Sequence, residues 1–357
     1  MDELYERLME RMDQFPLGAP RSPNLLKLLK TIFLPEEAEM ALRLPAVPVE
    51  LEEFASELGR PVEEVERLLE GMADHGLVFA RDRGGKKYYN LLPLLPGIFE
   101  MQFMKAETTP AKRRVAQLFD AYYHEGWGEE AFSSRTPMAR VLPVQEEIPR
   151  SDQVMPYELV RSYIKDSVSM AITNCFCRHE AELLGRSCGA PKAVCMCFGP
   201  FADFLVERGF AWRATPEEML AALDRAEKAG LVHVADNIQE KINFICNCCG
   251  CCCGFLGTIT KLGLSGGVAS SRYLAAVDEE LCNSCESCLE VCQVKAVEVE
   301  DERARVDAAR CIGCGLCASH CPSGALSMKV REEWREPLPT LADLGMTILR
   351  ERDKPLA

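Results

Sequence analysis

A duplicated run of cysteines near the C-terminal end constrains the fold more than any other feature of the sequence. Four cysteines recur in the same order 29 positions later, first at Cys282, Cys285, Cys288 and Cys292 and then at Cys311, Cys314, Cys317 and Cys321. Such a repeat indicates an internal duplication, in which two similar loops form two similar sites. Since cysteine thiolates are metal ligands, the repeat predicts that each loop wraps around a metal centre.

The spacing C-x2-C-x2-C-x3-C within each run is the pattern of bacterial ferredoxins that bind two [4Fe-4S] clusters. In that pattern three thiolates of one run bind one cluster and the fourth binds the other cluster. The expected ligands are Cys282, Cys285, Cys288 and Cys321 for cluster one, and Cys311, Cys314, Cys317 and Cys292 for cluster two. Zinc needs only two C-x2-C pairs, so two cysteines of each run would be surplus in a zinc site. The first run departs from the usual pattern at Gln293, where proline normally follows. Since proline is not a ligand, this departure affects only the local turn.

Eleven further cysteines lie between positions 175 and 253. Disulfides are not expected, because the cysteine count of 19 is odd and adjacent cysteines have poor disulfide geometry. We therefore predict metal binding by ten of them, namely Cys175, Cys177, Cys188, Cys195, Cys246, Cys248, Cys249, Cys251, Cys252 and Cys253.

Two arrangements of these ten residues are open. In one, Cys175, Cys177, Cys188 and Cys195 bind one cubane or one zinc ion, and the run from Cys246 to Cys253 binds a second, atypical cluster. In the other, both segments meet in space and share ligands around fewer clusters. The expected cofactors are one or two additional iron–sulfur clusters, with structural zinc as the alternative. Arg178 could donate hydrogen bonds to cluster sulfurs, or it could be a surface or ion-paired arginine; His179 and His233 are interpreted as hydrogen-bonded structural histidines.

The region before residue 97 has the element order of a winged helix. Helices are predicted at 49–58 and 61–75, followed by strands at 77–81 and 86–90. The second helix carries five acidic residues and one arginine, and acidic side chains repel DNA phosphates. This favours a docking domain. DNA binding remains the alternative, because the basic residues Arg81, Arg83, Lys86 and Lys87 lie in or beside the hairpin turn.

The net charge and the length of the chain limit the classes of protein to which it can belong. The 357 residues have a net charge of −14, which disfavours a general nucleic-acid binder and suits docking onto a basic patch of a redox partner. Segment 278–329 contains ten acidic and five basic residues. Neither a signal peptide nor a membrane span is expected, because the N-terminus is acidic and no apolar stretch reaches 18 residues. The many thiols indicate a reducing cytoplasm, with a larger complex as a possible setting.

Taken as an ordered set, these motifs resemble a largely uncharacterised family of cytosolic 4Fe-4S dicluster proteins from anaerobic microbes. The resemblance rests on residues 49–92, the segment Cys175–Arg178, the segment Cys248–Cys253 and the ferredoxin-type repeat Cys282–Pro322. It implies electron transfer and names no substrate.

The expected fold class is a multidomain α+β protein. Its predicted parts are a helical N-terminus with a winged-helix-like α/β domain (1–97), a mainly helical cysteine-rich domain (98–271), a two-cluster ferredoxin domain (272–330) and a tail (331–357).

Three functions compete at this point. The first is an iron–sulfur electron-transfer protein, or a subunit of a cytoplasmic redox complex. The second is a redox-sensing transcriptional regulator that uses the winged helix. The third is a redox enzyme with a reactive cluster in the middle domain. The sequence identifies no catalytic residues, so whether the chain is an enzyme stays open.

Overall fold

The computed structural model describes residues 2–149, 154–155, 158–264 and 267–352. Every helix in this described part is too short or too polar to cross a lipid bilayer.

The N-terminal region combines a helical bundle with a small antiparallel sheet. Its elements are α1 (Asp2–Asp13), α2 (Pro23–Ile32), α3 (Pro35–Arg43), β1 (Val49–Glu50), α4 (Leu51–Leu58), α5 (Val62–Asp74), β2 (Val78–Arg83) and β3 (Lys86–Leu91). The sheet order is β1-β3-β2. The two predicted helices and the hairpin are present, except that residues 49–50 form strand β1 instead of the first turn of a helix. Gly59 ends α4 in the left-handed conformation, with φ of +64°.

The middle region is built on a six-stranded sheet. Its strands are β4 (Ala139–Leu142), β5 (Met170–Asn174), β6 (Ala193–Phe198), β7 (Trp212–Arg213), β8 (Val232–Asp236) and β9 (Phe244–Cys248). Their order is β4-β8-β9-β6-β5-β7, and all neighbouring strands are antiparallel. The accompanying helices are α6 (Phe99–Met104), α7 (Pro110–Tyr122), α8 (Gly128–Ala131), α9 (Val160–Asp166), α10 (Phe176–Leu183), α11 (Gly199–Glu207), α12 (Pro216–Lys228) and α13 (Gly254–Thr260).

The middle domain was expected to be mainly helical, and its described helices do contain more residues than its strands, but the six-stranded sheet makes the region mixed α/β. Strand β8 is buried on both faces, although His233 and Asp236 are polar. Strands β6 and β9 each carry two cysteines.

The C-terminal region consists of two pairs of antiparallel strands and two short helices. Its elements are β10 (Tyr273–Val277), α14 (Ser287–Val291), β11 (Val297–Glu300), β12 (Arg303–Val306), α15 (Leu316–Ser319) and β13 (Leu326–Val330). Strand β10 pairs with β13, and β11 pairs with β12. The duplication extends to backbone conformation: φ is positive at Ser284 and Glu286, and again 29 positions later at Gly313 and Gly315. Left-handed residues at these places allow each cysteine loop to turn back on itself.

One hydrophobic core connects regions that were predicted to be separate. It includes Leu8 of α1, Val234 of β8 and Ile348 of helix α16 (Leu341–Glu351). Helix α16 belongs to the segment predicted as a tail, yet Leu344 and Ile348 are fully buried. Residues 353–357 of that segment lie outside the described residues. The predicted domain limits at 97 and 330 therefore stay predictions. The segments on either side of each limit share one hydrophobic core.

Candidate functional site

Six buried thiols come together beside the central sheet. They belong to Cys175, Cys177, Cys195, Cys246, Cys248 and Cys253. Hydrogen-bond contacts connect them in the order Cys175, Cys195, Cys246, Cys248, Cys253 and Cys177. The two cysteine-rich segments therefore meet in space, as in the second of the two predicted arrangements. We call this set the six-thiol group.

Strand geometry explains why four cysteines occur in C-x-C pairs. Residues two apart on a strand point to the same face of the sheet, so Cys195 shares a face with Cys197, and Cys246 shares one with Cys248. Strands β6 and β9 are antiparallel neighbours, which brings Cys195 against Cys246. The alternation of cysteine with other residues in these two strands was the signal that could have revealed this part of the sheet.

Backbone N–H groups support thiolates at the edge of the six-thiol group. Cys175 is the N-cap residue of α10, and Cys253 is the N-cap residue of α13. Hydrogen bonds from Cys177 and Cys248 lower the pKa of Cys253, and the N–H group of Leu256 lowers it further. These donors favour the deprotonated form that binds metals.

A second and more compact group of thiols lies at the turn after β9. It consists of Cys188, Cys249, Cys251 and Cys252, whose ligand atoms all lie within 4.8 Å of one another. Within the part of the chain that the structure describes, no other group of three or more Cys, His, Asp or Glu side chains has all its ligand atoms this close together. The sulfurs of the six-thiol group are therefore more widely spread. We call these four residues the compact group.

The grouping of Cys188 with Cys175, Cys177 and Cys195 is wrong, because Cys188 belongs to the compact group instead. Between Cys177 and Cys188 the chain passes through α10, whose eight residues extend about 12 Å. The loop after the helix is thereby directed towards the turn at 249–252.

Arg178 lies between the two groups and is 3% exposed. One of its terminal nitrogens donates to the carbonyl oxygen of Asn247 at 2.9 Å and lies 4.0 Å from Sγ of Cys249. Its Nε and its other terminal nitrogen have no hydrogen-bond partner. Burial opposes the charge, but the nearby thiolates of Cys175, Cys195, Cys249 and Cys248 raise the pKa of Arg178. The side chain is therefore a buried cation with two free N–H donors among thiols, and the prediction of a surface or ion-paired arginine does not fit this position.

The two histidines have structural environments. His179 contacts Glu182 through Nδ1 and the carbonyl oxygen of Glu107 through Nε2. His233 contacts Asn247 and Glu227 in the same two-sided way. Each imidazole is engaged at both ring nitrogens, which agrees with the structural interpretation.

The eight cysteines of the C-terminal repeat lie in two interleaved sets. Cys282, Cys285, Cys288 and Cys321 line one small cavity of about 10 Å³. Burial raises the pKa of Cys317, and the charges of Cys314, Cys311 and Cys292 raise it further, so these four thiols are also neighbours. The fourth cysteine of each run therefore joins the first three of the other run. Backbone N–H groups point at two of the sulfurs: that of Ala304 lies 3.4 Å from Sγ of Cys282, and that of Ala296 lies 3.1 Å from Sγ of Cys292.

Gln293 joins the C-terminal repeat to the cysteine-rich turn of the middle region. The backbone N–H of Gly250 donates to Oε1 of Gln293 at 2.8 Å, and Nε2 of Gln293 donates to the carbonyl oxygen of Gly230 at 2.7 Å. A Cβ atom at position 250 would lie 2.2 Å from the Gln293 carbonyl oxygen, so only glycine fits there. The departure from proline at 293 therefore does more than alter a local turn, because proline has no side-chain amide to make these bonds.

A cavity of about 340 Å³ borders the six-thiol group on the side of the N-terminal region. Cys195, Cys197 and Cys246 line one wall, and the buried carboxyl groups of Glu100 and Asp236 line others. Burial raises the pKa of Glu100 to about 7 and that of Asp236 to about 6. Both groups can therefore hold a proton near neutral pH.

Comparisons with known proteins bear on the C-terminal repeat. Residues 275–328 match the family model of the 4Fe-4S dicluster domain. An uncharacterized ferredoxin of Methanocaldococcus jannaschii is 38% identical over 98 residues, which is 26% of this chain and 57% of the relative. Hydrogenase-4 component A of Escherichia coli is 33% identical over 84 residues, 23% of this chain and 41% of the relative. Pyruvate synthase subunit PorD of Methanocaldococcus jannaschii is 41% identical over 59 residues, 16% of this chain and 66% of the relative.

The matches cover about half of the first two relatives' length, and no solved structure matches the chain significantly. They show a 4Fe-4S dicluster domain of ferredoxin type at residues 275–328.

Proposed function

We propose that this protein is an electron-transfer protein, or a subunit of a cytoplasmic redox complex, in which the ferredoxin-type domain exchanges electrons with a third iron–sulfur cluster. The six-thiol group would hold that third cluster. The observation that carries the proposal is the contact between Gln293 and Gly250. Gln293 follows Cys292, a proposed ligand of cluster two, and Gly250 lies between Cys248 and Cys253 of the six-thiol group.

The donor sets fit iron–sulfur clusters. Cluster one would be held by Cys282, Cys285, Cys288 and Cys321, and cluster two by Cys311, Cys314, Cys317 and Cys292. In the middle region, six thiols are more than the four that one cubane needs, and the two free N–H donors of Arg178 suit the negative sulfurs of such a cluster. When bound, these clusters supply one-electron oxidation and reduction.

The two cysteine loops of the ferredoxin-type domain have different surroundings. The second loop packs against the middle region, where the backbone N–H of Val144 donates to the Cys314 carbonyl oxygen at 2.9 Å. The first loop faces solvent, with Cys285 exposed and Leu281 52% exposed. We therefore propose that cluster two communicates with the six-thiol group and that cluster one communicates with an external partner.

The surroundings of the first loop suit a basic partner protein. Asp278, Glu279, Glu280 and Glu286 are exposed beside Leu281. Opposite charge on a partner would accelerate and orient docking at this surface. Two of the relatives are named as a hydrogenase component and a pyruvate synthase subunit, which supports a role for this chain within an oxidoreductase complex.

The N-terminal region supports a docking domain better than a DNA-binding domain. Its order α3, β1, α4, α5, β2, β3 is that of a winged helix, and we propose that fold for it. The two lysines among the four basic residues of the hairpin are engaged by acidic neighbours: Lys86 pairs with Glu50 at 2.7 Å, and Lys87 pairs with Glu66 at 2.7 Å. Such pairing reduces the attraction to phosphate groups on which DNA affinity depends.

Helix α5 also has its own contact with the middle region. Arg208, just after α11, pairs with Glu70 at 2.7 Å and with Asp74 at 2.9 Å. A helix held in this way is not free to enter a DNA groove. A mobility-shift assay on the gene's own promoter tests the regulator alternative: salt-sensitive binding in either redox state would revive it.

The cavity beside Cys195 and Cys246 favours one second candidate, a redox enzyme. Its volume of about 340 Å³ falls within the range of small-molecule sites, roughly 300–1,000 Å³. Glu100 and Asp236 could deliver protons to a substrate there. Six thiols, however, are enough to supply a thiolate ligand to each of the four irons of a cubane. No iron would then be free to bind a substrate, which favours electron transfer. Cyanide distinguishes the two: a change in the EPR signal of the middle cluster would support the enzyme, and an unchanged signal would support the carrier.

Anaerobic iron and sulfide analysis of the full chain tests the proposal. Three cubanes correspond to roughly twelve irons, and the ferredoxin-type domain alone corresponds to about eight. Replacing Cys195, Cys248 and Cys253 together by serine leaves three thiols, fewer than a cubane needs, and should lower the iron content by about four. Cys197→Ser is the matched control, because Cys197 is a buried cysteine on the same strand as Cys195 that makes no thiol hydrogen bond to the six-thiol group. About eight irons in the unchanged protein would refute the third cluster, and zinc without acid-labile sulfide would refute the electron carrier as a whole.

A further inference from the structure

We propose that the compact group, Cys188, Cys249, Cys251 and Cys252, is a mononuclear tetrahedral site for one divalent metal ion, best matched by Zn²⁺, and holds no iron–sulfur cluster. This inference goes beyond the electron-transfer proposal, since it concerns four thiols that the proposal does not use. It separates the ten predicted middle-domain ligands into six for a cluster and four for a single ion.

The spacing of the four sulfurs carries the inference. A zinc–sulfur bond is about 2.3 Å long, so the sulfurs at the corners of a ZnS₄ tetrahedron are about 3.8 Å apart. Sγ of Cys251 lies 3.7 Å from Sγ of Cys252, and all four sulfurs lie within 4.8 Å of each other. In a cubane each thiolate binds a different iron and points away from the centre, so the four thiolate sulfurs stand further apart. The compact group is therefore the size of a single-ion site.

The identity of the ion follows from the ligands. A tetrahedral set of four thiolates is typical of zinc, and zinc binds such a site more tightly than ferrous iron does. Cys188 and Cys251 are exposed, so an ion can reach the site from solvent. Arg178 lies 4.0 Å from Sγ of Cys249, and its positive charge offsets part of the excess negative charge of four thiolates around one divalent ion.

The site has a structural consequence for the contact with the ferredoxin-type domain. It joins the loop that carries Cys188, between α10 and β6, to the turn 249–252 after β9. Gly250 belongs to that turn and donates its N–H group to Gln293. A metal ion bound here would hold the turn in the conformation that contacts the ferredoxin-type domain.

Metal analysis of anaerobically purified full-length protein tests the inference. We expect one zinc per chain in addition to the cluster iron. Cys188→Ser and Cys251→Ser should each lower zinc content at least tenfold while leaving iron and sulfide unchanged. Cys197→Ser should keep both metals, and the joint replacement of Cys195, Cys248 and Cys253 by serine should lose iron while keeping zinc.

Cobalt supplies a readout that does not depend on purification history. Protein produced in cobalt-supplemented, zinc-depleted medium should show the intense visible absorption of tetrahedral Co²⁺ bound by thiolates, and Cys188→Ser should abolish it. Cys188 lies in an exposed loop, and an unchanged far-ultraviolet circular dichroism spectrum would exclude misfolding of this variant. Loss of iron in place of zinc in both compact-group variants would overturn the inference, because these thiols would then be cluster ligands. One extra iron without sulfide at the site would keep the mononuclear geometry and overturn zinc as the ion.

Discussion

Replacing Gln293 by alanine tests whether the ferredoxin-type domain is coupled to the cysteine-rich turn. The substitution removes two hydrogen bonds, one from the Gly250 N–H at 2.8 Å and one to the carbonyl oxygen of the buried Gly230 at 2.7 Å. Each such bond contributes about 1 kcal/mol, so the contact should weaken by about 2 kcal/mol. Since 1.4 kcal/mol corresponds to a factor of ten, the opened state of this contact should become roughly 30-fold more populated.

Hydrogen exchange measured by mass spectrometry reports this opening directly. The Gly250 amide should exchange roughly 30-fold faster in Gln293→Ala, because its hydrogen bond is lost. Iron content should stay unchanged, since Gln293 is not a ligand. Gln239→Ala is the matched control: Gln239 donates from Nε2 to the Pro337 carbonyl oxygen at 2.8 Å, so it loses a similar bond elsewhere. Unchanged exchange at Gly250 in Gln293→Ala, or an equal change in the control, would refute the reasoning.

Three further predictions concern single side chains. Gly313→Ala should lose about four irons, because its Cβ would lie 2.1 Å from the Tyr273 carbonyl oxygen at a φ of +72°. The opposite kind of change at a left-handed residue of the first loop, Glu286→Gly, should keep all iron and stabilise the protein by up to about 1 kcal/mol. Arg178→Gln should lower the reduction potential of the middle cluster by roughly 60 mV, the equivalent of a tenfold change for one electron. Arg178→Lys keeps the positive charge and should change the potential much less. Redox-titrated EPR measures both potentials, and equal potentials in Arg178→Gln and the unchanged protein would contradict a role for the buried charge. Glu100 has its pKa raised to about 7 by burial, so the folded protein binds a proton more tightly than the unfolded chain, and stability should fall by up to about 3 kcal/mol as pH rises from 4.5 to 7. Glu100→Gln should remove that fall in chemical denaturation experiments, and an unchanged pH dependence would show that other groups cause it.

Local sequence patterns were sufficient to locate several helices and strands. Thr215 begins α12 through a capping box with Glu218, an arrangement of two residues only three positions apart. The hairpin at 78–91 and the helices on either side of Gly59 were also predicted from residue spacing. Each of these depends on interactions between residues close in the chain, which is why short-range reasoning found them.

The central sheet was beyond such reasoning. Its strand order brings β9 next to β8 and β6, and these pairings join residues 10 to 16 positions apart and 47 to 49 positions apart, respectively. The cysteines of β6 and β9 alternate with other residues as strand residues do, but Cys195 and Cys246 also resemble metal-loop residues when each segment is considered alone. The role of Gln293 was missed for a similar reason, because its partner Gly250 is 43 positions away in the sequence.

The sequence by itself determined the ferredoxin-type repeat, because ligands spaced by two or three residues in one loop can bind one cluster without help from the rest of the chain. It also predicted metal binding in preference to disulfides for the middle cysteines, since adjacent cysteines have poor disulfide geometry. Only the tertiary structure decided how ten of those cysteines divide into groups of six and four. That division depends on the sheet that brings Cys195 to Cys246 and on the loop that brings Cys188 to Cys251, and both contacts arise from long-range packing that no local spacing encodes.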